Sequence, residues 1–274
     1  MPDSTAQAAI AIELALFFAG CILLWRLGLS PTARGATRSQ PSPLPAWEIP
    51  LSSFFLFLWL VVCGGLIAQM AAVPLLQLVP MGATARLILT GAAFHGGMFL
   101  GVALFMLRYD RPWVARLAQP LRRLLPAGLA TFLIVLPVLT AVSLAWQGLL
   151  EFAGIPVEPQ DLIDIFANAK SPRLLTLMII LATVVAPITE ELVFRAGLFR
   201  FARTRLPRWA ALFLPACLFA ALHANLASFA PLAVLGVIFS LAYERTGSIA
   251  VPIIAHGLFN LNTILLLRAG LDGL

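Results

Sequence analysis

Seven ionisable side chains fall well inside long apolar runs: Glu13, His95, Glu190, Glu191, Arg195, His223 and His256. A charge placed in hydrocarbon is costly, so each is a candidate for function. Five of the seven belong to the second half of the chain, and they fall in three short constellations. In APITEELVFRAGLFR, Glu190 and Glu191 follow Pro187 by three and four residues. Successive helical residues point about 100° apart, so the two carboxylates face different neighbours. Glu191 and Arg195 are four apart with the glutamate first, the favourable order for an ion pair on one face. That pairing leaves Glu190 without a partner on its own helix and makes it a candidate general base. An isolated pattern of this kind could equally be an ion-pair network joining helices.

The second constellation is LPACLFAALHANL, where Phe219 and His223 share a face four residues apart. The third is SIAVPIIAHGLFNLN, where His256 and Asn260 share a face, Pro252 lies one turn earlier and Gly257 permits a close backbone approach. Singly, each of these polar groups could be an interhelical hydrogen-bond strut. Together, one carboxylate, two imidazoles and one amide would converge from three neighbouring helices. No serine or cysteine is arranged with them as a nucleophile, so water is the natural choice. Glu190 would take its proton with help from His223. His256 and Asn260 would hold a developing oxyanion.

The elements that must position these groups are membrane helices. Of the 274 residues, 61% are hydrophobic and 11% charged, and the mean hydropathy is +0.97. A soluble globular chain carries roughly 25% charged residues. A bilayer core of about 30 Å needs about 20 apolar residues per helix. Eight stretches qualify: 7–27, 51–71, 86–107, 127–149, 173–200, 208–226, 229–244 and 249–268, of which the seventh is short and the fifth long. The expected fold is therefore all-α, a polytopic bundle of about eight transmembrane helices. The N-terminal run lacks a basic leader and a small-residue cleavage site, so it reads as a retained first helix.

The net charge of +6 is almost entirely arginine, since Lys170 is the one lysine. The arginines sit between apolar runs, as orientation signals do, and nucleic-acid binding is not expected. Arg26, Arg34 and Arg38, then Arg108, Arg111, Arg116, Arg122 and Arg123, then Arg200, Arg203, Arg205 and Arg208 occupy alternate loops. By the positive-inside rule that side is cytoplasmic, and the acidic loop with Glu151, Glu158, Asp161 and Asp164 lies opposite. Residues 28–50, rich in Pro, Ser, Thr and Gly, read as a flexible connection. Residues 110–124 and 155–172 each read as a short interfacial helix. Cys21, Cys63 and Cys217 lie in apolar stretches with no ligand spacing and read as buried, inert thiols. Glu13 reads as snorkelling to the interface. His95, beside Gly97 and Gly101, reads as part of a tight helix contact.

Glu190-Glu191-x-x-x-Arg195, Phe219-x-x-x-His223 and His256-x-x-x-Asn260, in that order, resemble the three motifs of the CAAX prenyl endopeptidase and bacteriocin-processing (abortive-infection) family. The resemblance covers roughly residues 125–268, which divides the chain into N-terminal membrane helices, 1–124, and a protease-like domain, 125–274. It implies a glutamic-type intramembrane endopeptidase with an all-helical membrane fold and a cavity open to the cytosol. Glu190 and His223 would activate water. His256 and Asn260 would serve the oxyanion. Glu191, Arg195 and Phe219 would support them. Two histidines and a glutamate could bind zinc, but no HExxH spacing is present, and the metal-free mechanism, with no cofactor, is preferred. The composition looks bacterial, so the expected substrate is a membrane-anchored or hydrophobic peptide, in a bacterial inner membrane with the site facing the cytoplasm.

Two other classes compete. A non-catalytic immunity or scaffold protein could keep this fold, but intact motifs count against it. A transporter or channel could use the same polar groups as an ion path, but no internal repeat accompanies them.

Overall fold

A computed structural model describes residues 4–39, 42–109, 120–157, 166 and 171–271. Among them there is no strand. The helices are α1 (Ser4–Leu24, continued by one π turn to Leu29), α2 (Pro31–Ser39), α3 (Leu51–Gln77), α4 (Ala83–Tyr109), α5 (Leu121–Phe152), α6 (Pro172–Ala202), α7 (Arg208–Ala221), α8 (Leu226–Thr246) and α9 (Ala250–Arg268). Seven of these are long and apolar enough to cross a bilayer. Large apolar side chains such as Phe18, Trp59, Ile67 and Met70 point outward, as they do where lipid is the solvent. The chain is a multi-pass helical membrane bundle, in agreement with the sequence reading.

The short member is not the expected one. α8 runs a full 21 residues, whereas α7 has only 14. At 1.5 Å per residue α7 is about 21 Å long, less than the hydrocarbon core. It stops because Ala224 takes a left-handed backbone (φ 51°) and the Asn225 side chain caps α8 by accepting from Ser228 N at 2.9 Å. His223 therefore lies in the turn after α7 and not inside a spanning helix.

Glycines set the closest helix contacts. α3 and α4 meet where a side chain at Gly97 would strike Gly64 O and one at Gly101 would strike Leu60 O. This is the small-residue contact that Gly97 and Gly101 predicted. α1 lies along α5, and α5 packs against α8 and α9 around Phe132, Val135, Leu235 and Phe239.

The described parts of residues 28–50 are ordered elements rather than the expected flexible connection. α2 occupies part of that stretch, and residues 42–50 form a strap docked on one end of the bundle. Trp47 is 3% exposed and meets the rings of Phe54, Phe57, Phe105 and Phe201 edge-on. With several prolines the strap cannot pair its own backbone, so side chains do it. Arg203 Nη1 donates to Leu44 O at 2.9 Å, and Arg205 donates to Trp47 O and Ile49 O. Ser42 Oγ donates to Glu244 O at 2.7 Å. Composition predicted a loop, but it could not reveal partners some 160 to 200 residues away.

Two smaller readings also change, and a third is not reached by the described residues. Glu13 does not snorkel: Asn262 Nδ2 donates to its Oε2 at 3.1 Å, tying α1 to α9. Cys21, Cys63 and Cys217 are free thiols, half-buried and not enclosed. The two interfacial stretches, 110–124 and 155–172, and the acidic loop residues Glu158, Asp161 and Asp164 fall mostly or wholly outside the described residues.

Candidate active site

α6 carries the adjacent carboxylates, and its backbone is irregular on both sides of them. It is α-helical over Pro172–Ile180, π over Leu181–Val185, α over Ala186–Glu191 and π again over Leu192–Phe199. Pro187 explains the first irregularity, because it has no N–H to give. Ala186 N bonds Leu181 O, a π-type step, which leaves Ala182 O and Thr183 O without α-helical donors. α9 closes on both carbonyls. Asn260 Nδ2 donates to Ala182 O at 2.8 Å. A Cβ at Gly257 would strike Thr183 O, so only glycine lets the two backbones approach this closely. A proline on one helix and a glycine and an asparagine on the other thus fix the register of α6 against α9. π irregularities of this kind recur at functional sites.

That register places His256 between the two carboxylates. Its Nδ1 lies 2.8 Å from Glu191 Oε1, and its Nε2 lies 3.7 Å from Glu190 Oε2. A carboxylate only accepts, so the Nδ1–H donates to Glu191 and Nε2 is presented to Glu190. Arg195 Nη1 also donates to Glu191 Oε1, at 2.8 Å, in the i,i+4 pair that the spacing predicted. Glu191 is fully enclosed and Arg195 is 1% exposed, with its guanidinium over the faces of Phe219 and Phe239. Glu190 differs from its neighbour: its side chain is 21% exposed, and His256 Nε2 approaches it at 3.7 Å. Glu191 is thus the structural carboxylate and Glu190 the reachable one. What the spacing did not disclose is that Glu191 orients His256, as the acidic partner of an imidazole does in known catalytic groups.

His223 donates from Nδ1 to Phe219 O at 2.8 Å, which aims its Nε2 away from its own helix end. Phe219 is 1% exposed, and its ring touches both imidazoles, 4.8 Å from His223 and 6.0 Å from His256 between centroids. The structure therefore gathers Glu190, Glu191, Arg195, Phe219 and His256 directly. His223 joins them through Phe219. Asn260 joins through α6, with one amide N–H committed to Ala182 O. Among the described residues no group of three or more His, Cys, Asp and Glu side chains could hold a metal ion.

Sequence reasoning missed Thr189. It is 2% exposed, and its Oγ1 lies 2.6 Å from His95 Nδ1. His95 therefore does not belong to the α3 contact made by the glycines near it. A threonine in an apolar run carries little signal, although its place directly before the paired glutamates was visible.

An 84-residue segment, 31% of this chain, is 34% identical to the Bacillus subtilis (strain 168) protein named "Putative membrane peptidase YdiL". The matched part spans 34% of that relative's length, about a third. No solved structure matches the chain. Residues 172–262 match the model of the family described as type II CAAX prenyl endopeptidase, Rce1-like. That range begins at α6, later than the motifs alone indicated, and contains all three of them. Over α6 to α9, therefore, the chain is similar to the Rce1-like type II CAAX prenyl endopeptidases, as its motifs predicted.

Proposed function

We propose that the chain is a glutamic-type intramembrane endopeptidase that hydrolyses peptide bonds of membrane-anchored or hydrophobic peptides. The observation that carries this reading is His256 fixed between two unlike carboxylates, one sealed with Arg195 and one reachable. A water beside Glu190 Oε2 can hydrogen-bond His256 Nε2 as well, since 3.7 Å separates the two atoms. Glu190 takes a proton from that water as its oxygen attacks the peptide carbonyl. The tetrahedral oxyanion is stabilised beside His256 by the second N–H of the Asn260 amide. Glu190 then returns the proton to the leaving amine as the C–N bond breaks. His223 assists by orienting the water.

No metal is needed for these steps. The Nδ1 atoms of His223 and His256 both donate to protein acceptors, and their Nε2 atoms serve the reaction. The resemblance to a membrane peptidase family and the reachable carboxylate support catalysis over a scaffold role. The arginine-rich ends support a cytoplasmic opening.

The test is cleavage of a membrane-peptide library by the purified chain in lipid nanodiscs. Glu190→Gln is expected to lower the rate about 10²- to 10⁴-fold, the range associated with general acid–base catalysis. Equal cleavage by both proteins would overturn the mechanism. A chelator titration in the same assay, expected to leave the rate unchanged, tests the metal-free step.

A further inference from the structure

The three histidines of the chain are His95, His223 and His256, and only the last two belong to the segment that resembles a known family. His95 comes from α4. At about 100° per residue, His95 is turned roughly 200° from Gly97. The glycine face meets α3, so His95 faces the other way. Gly91, one turn earlier on the same face, lies against Leu181, so this stripe of α4 runs along α6.

The Thr189 hydroxyl fixes the ring. Thr189 Oγ1 lies 3.1 Å from Val185 O and 3.0 Å from Ala186 O, and its single hydrogen serves one of these carbonyls. The 2.6 Å contact to His95 Nδ1 is then satisfied by Nδ1–H donating to Oγ1. His95 so adopts the arrangement of the other two histidines, with Nδ1 anchored to protein and Nε2 left to the surroundings. Thr189 is the residue before Glu190, so its bond to His95 lies in the same α6 turn as that carboxylate. His256 approaches the same carboxylate from α9.

We propose that His95 is a positioning residue for Glu190, tied through Thr189, which brings a third imidazole to the site from outside the family-like segment. It holds the α6 turn that bears the carboxylate, from α4, while His256 reaches that carboxylate from α9. The catalytic part of this proposal rests on the reading of Glu190 as the general base. The spatial part does not.

The test has two arms on the full chain in nanodiscs. The first uses histidine labelled at its ring nitrogens, whose three resonance sets are assigned by single substitution. Glu190→Gln is expected to displace the His95 resonances, and Thr189→Val to change the state of its Nδ1. The second arm measures peptide cleavage by His95→Asn, whose amide still donates to Thr189 but has no imidazole. About a tenfold fall in kcat with KM unchanged is expected, in the range of lost orienting partners. His95 resonances indifferent to Glu190→Gln would overturn the proposal, as would full activity of His95→Asn. If the wild type cleaves nothing while the His95 resonances respond to Glu190→Gln, the endopeptidase reading fails and the pairing stands.

Discussion

Two arginine–glutamate pairs in this molecule have the same N···O separation of 2.8 Å, and they sit in opposite solvents. Arg195–Glu191 is sealed among helices, at 1% and 0% side-chain exposure. Arg208–Glu244 lies at the arginine-rich end, at 61% and 11%. Distance therefore says little about what each contributes. The outer pair is screened by water, and Glu244 is shared with Arg203 at 3.4 Å, so either arginine can stand in for the other. The inner pair has no such relief. Glu191 Oε1 already serves both Arg195 and His256, while Glu191 Oε2 and Arg195 Nη2 are buried without a hydrogen-bond partner among the described residues. A buried pair with unmet valences is weak evidence for stability and better evidence for a function that needs His256 held in one orientation.

Substitution separates the two regions. Arg195→Met leaves Glu191 charged and enclosed, and should cost about 3–5 kcal/mol, read as a fall in the thermal midpoint in detergent. Gly257→Ala drives a methyl into Thr183 O and parts α9 from α6. It should cost about 1–3 kcal/mol and depress cleavage as well, because His256 and Asn260 move with α9. Ala224→Gly relaxes the left-handed turn after α7 and should raise stability by about 1 kcal/mol. Arg208→Ala should change stability by less than about 1 kcal/mol, and less still in high salt. If Arg195→Met and Arg208→Ala proved equally mild, the contrast between the two pairs would be lost.

Much of the site was legible because it is written in short-range spacing. Glu191 and Arg195, Phe219 and His223, and His256 and Asn260 are each four apart, and a helix turns that spacing into a shared face. The helix count followed from hydropathy for the same reason. What was not legible depends on contacts between distant segments. Glu191 reaches His256 across 65 residues, and His95 reaches Thr189 across 94. The strap at 42–50 looked like linker because its prolines and polar residues are common in linkers, while its partners Arg203, Arg205 and Glu244 lie far along the chain. The length of α7 was misread because HANLAS sits inside an apolar run. Its Asn225 is nonetheless an ordinary helix-start signal, and it could have been used.

α7 also bears on the lipids. Its outer face presents Trp209, Phe213, Leu214 and Leu218, yet the helix is shorter than the hydrocarbon it borders. Neighbouring acyl chains must compress there, at a cost that grows with mismatch. Membranes of short-chain lipids should therefore suit this protein better than thick ones, and bilayer composition becomes a lever on the site that no substitution touches.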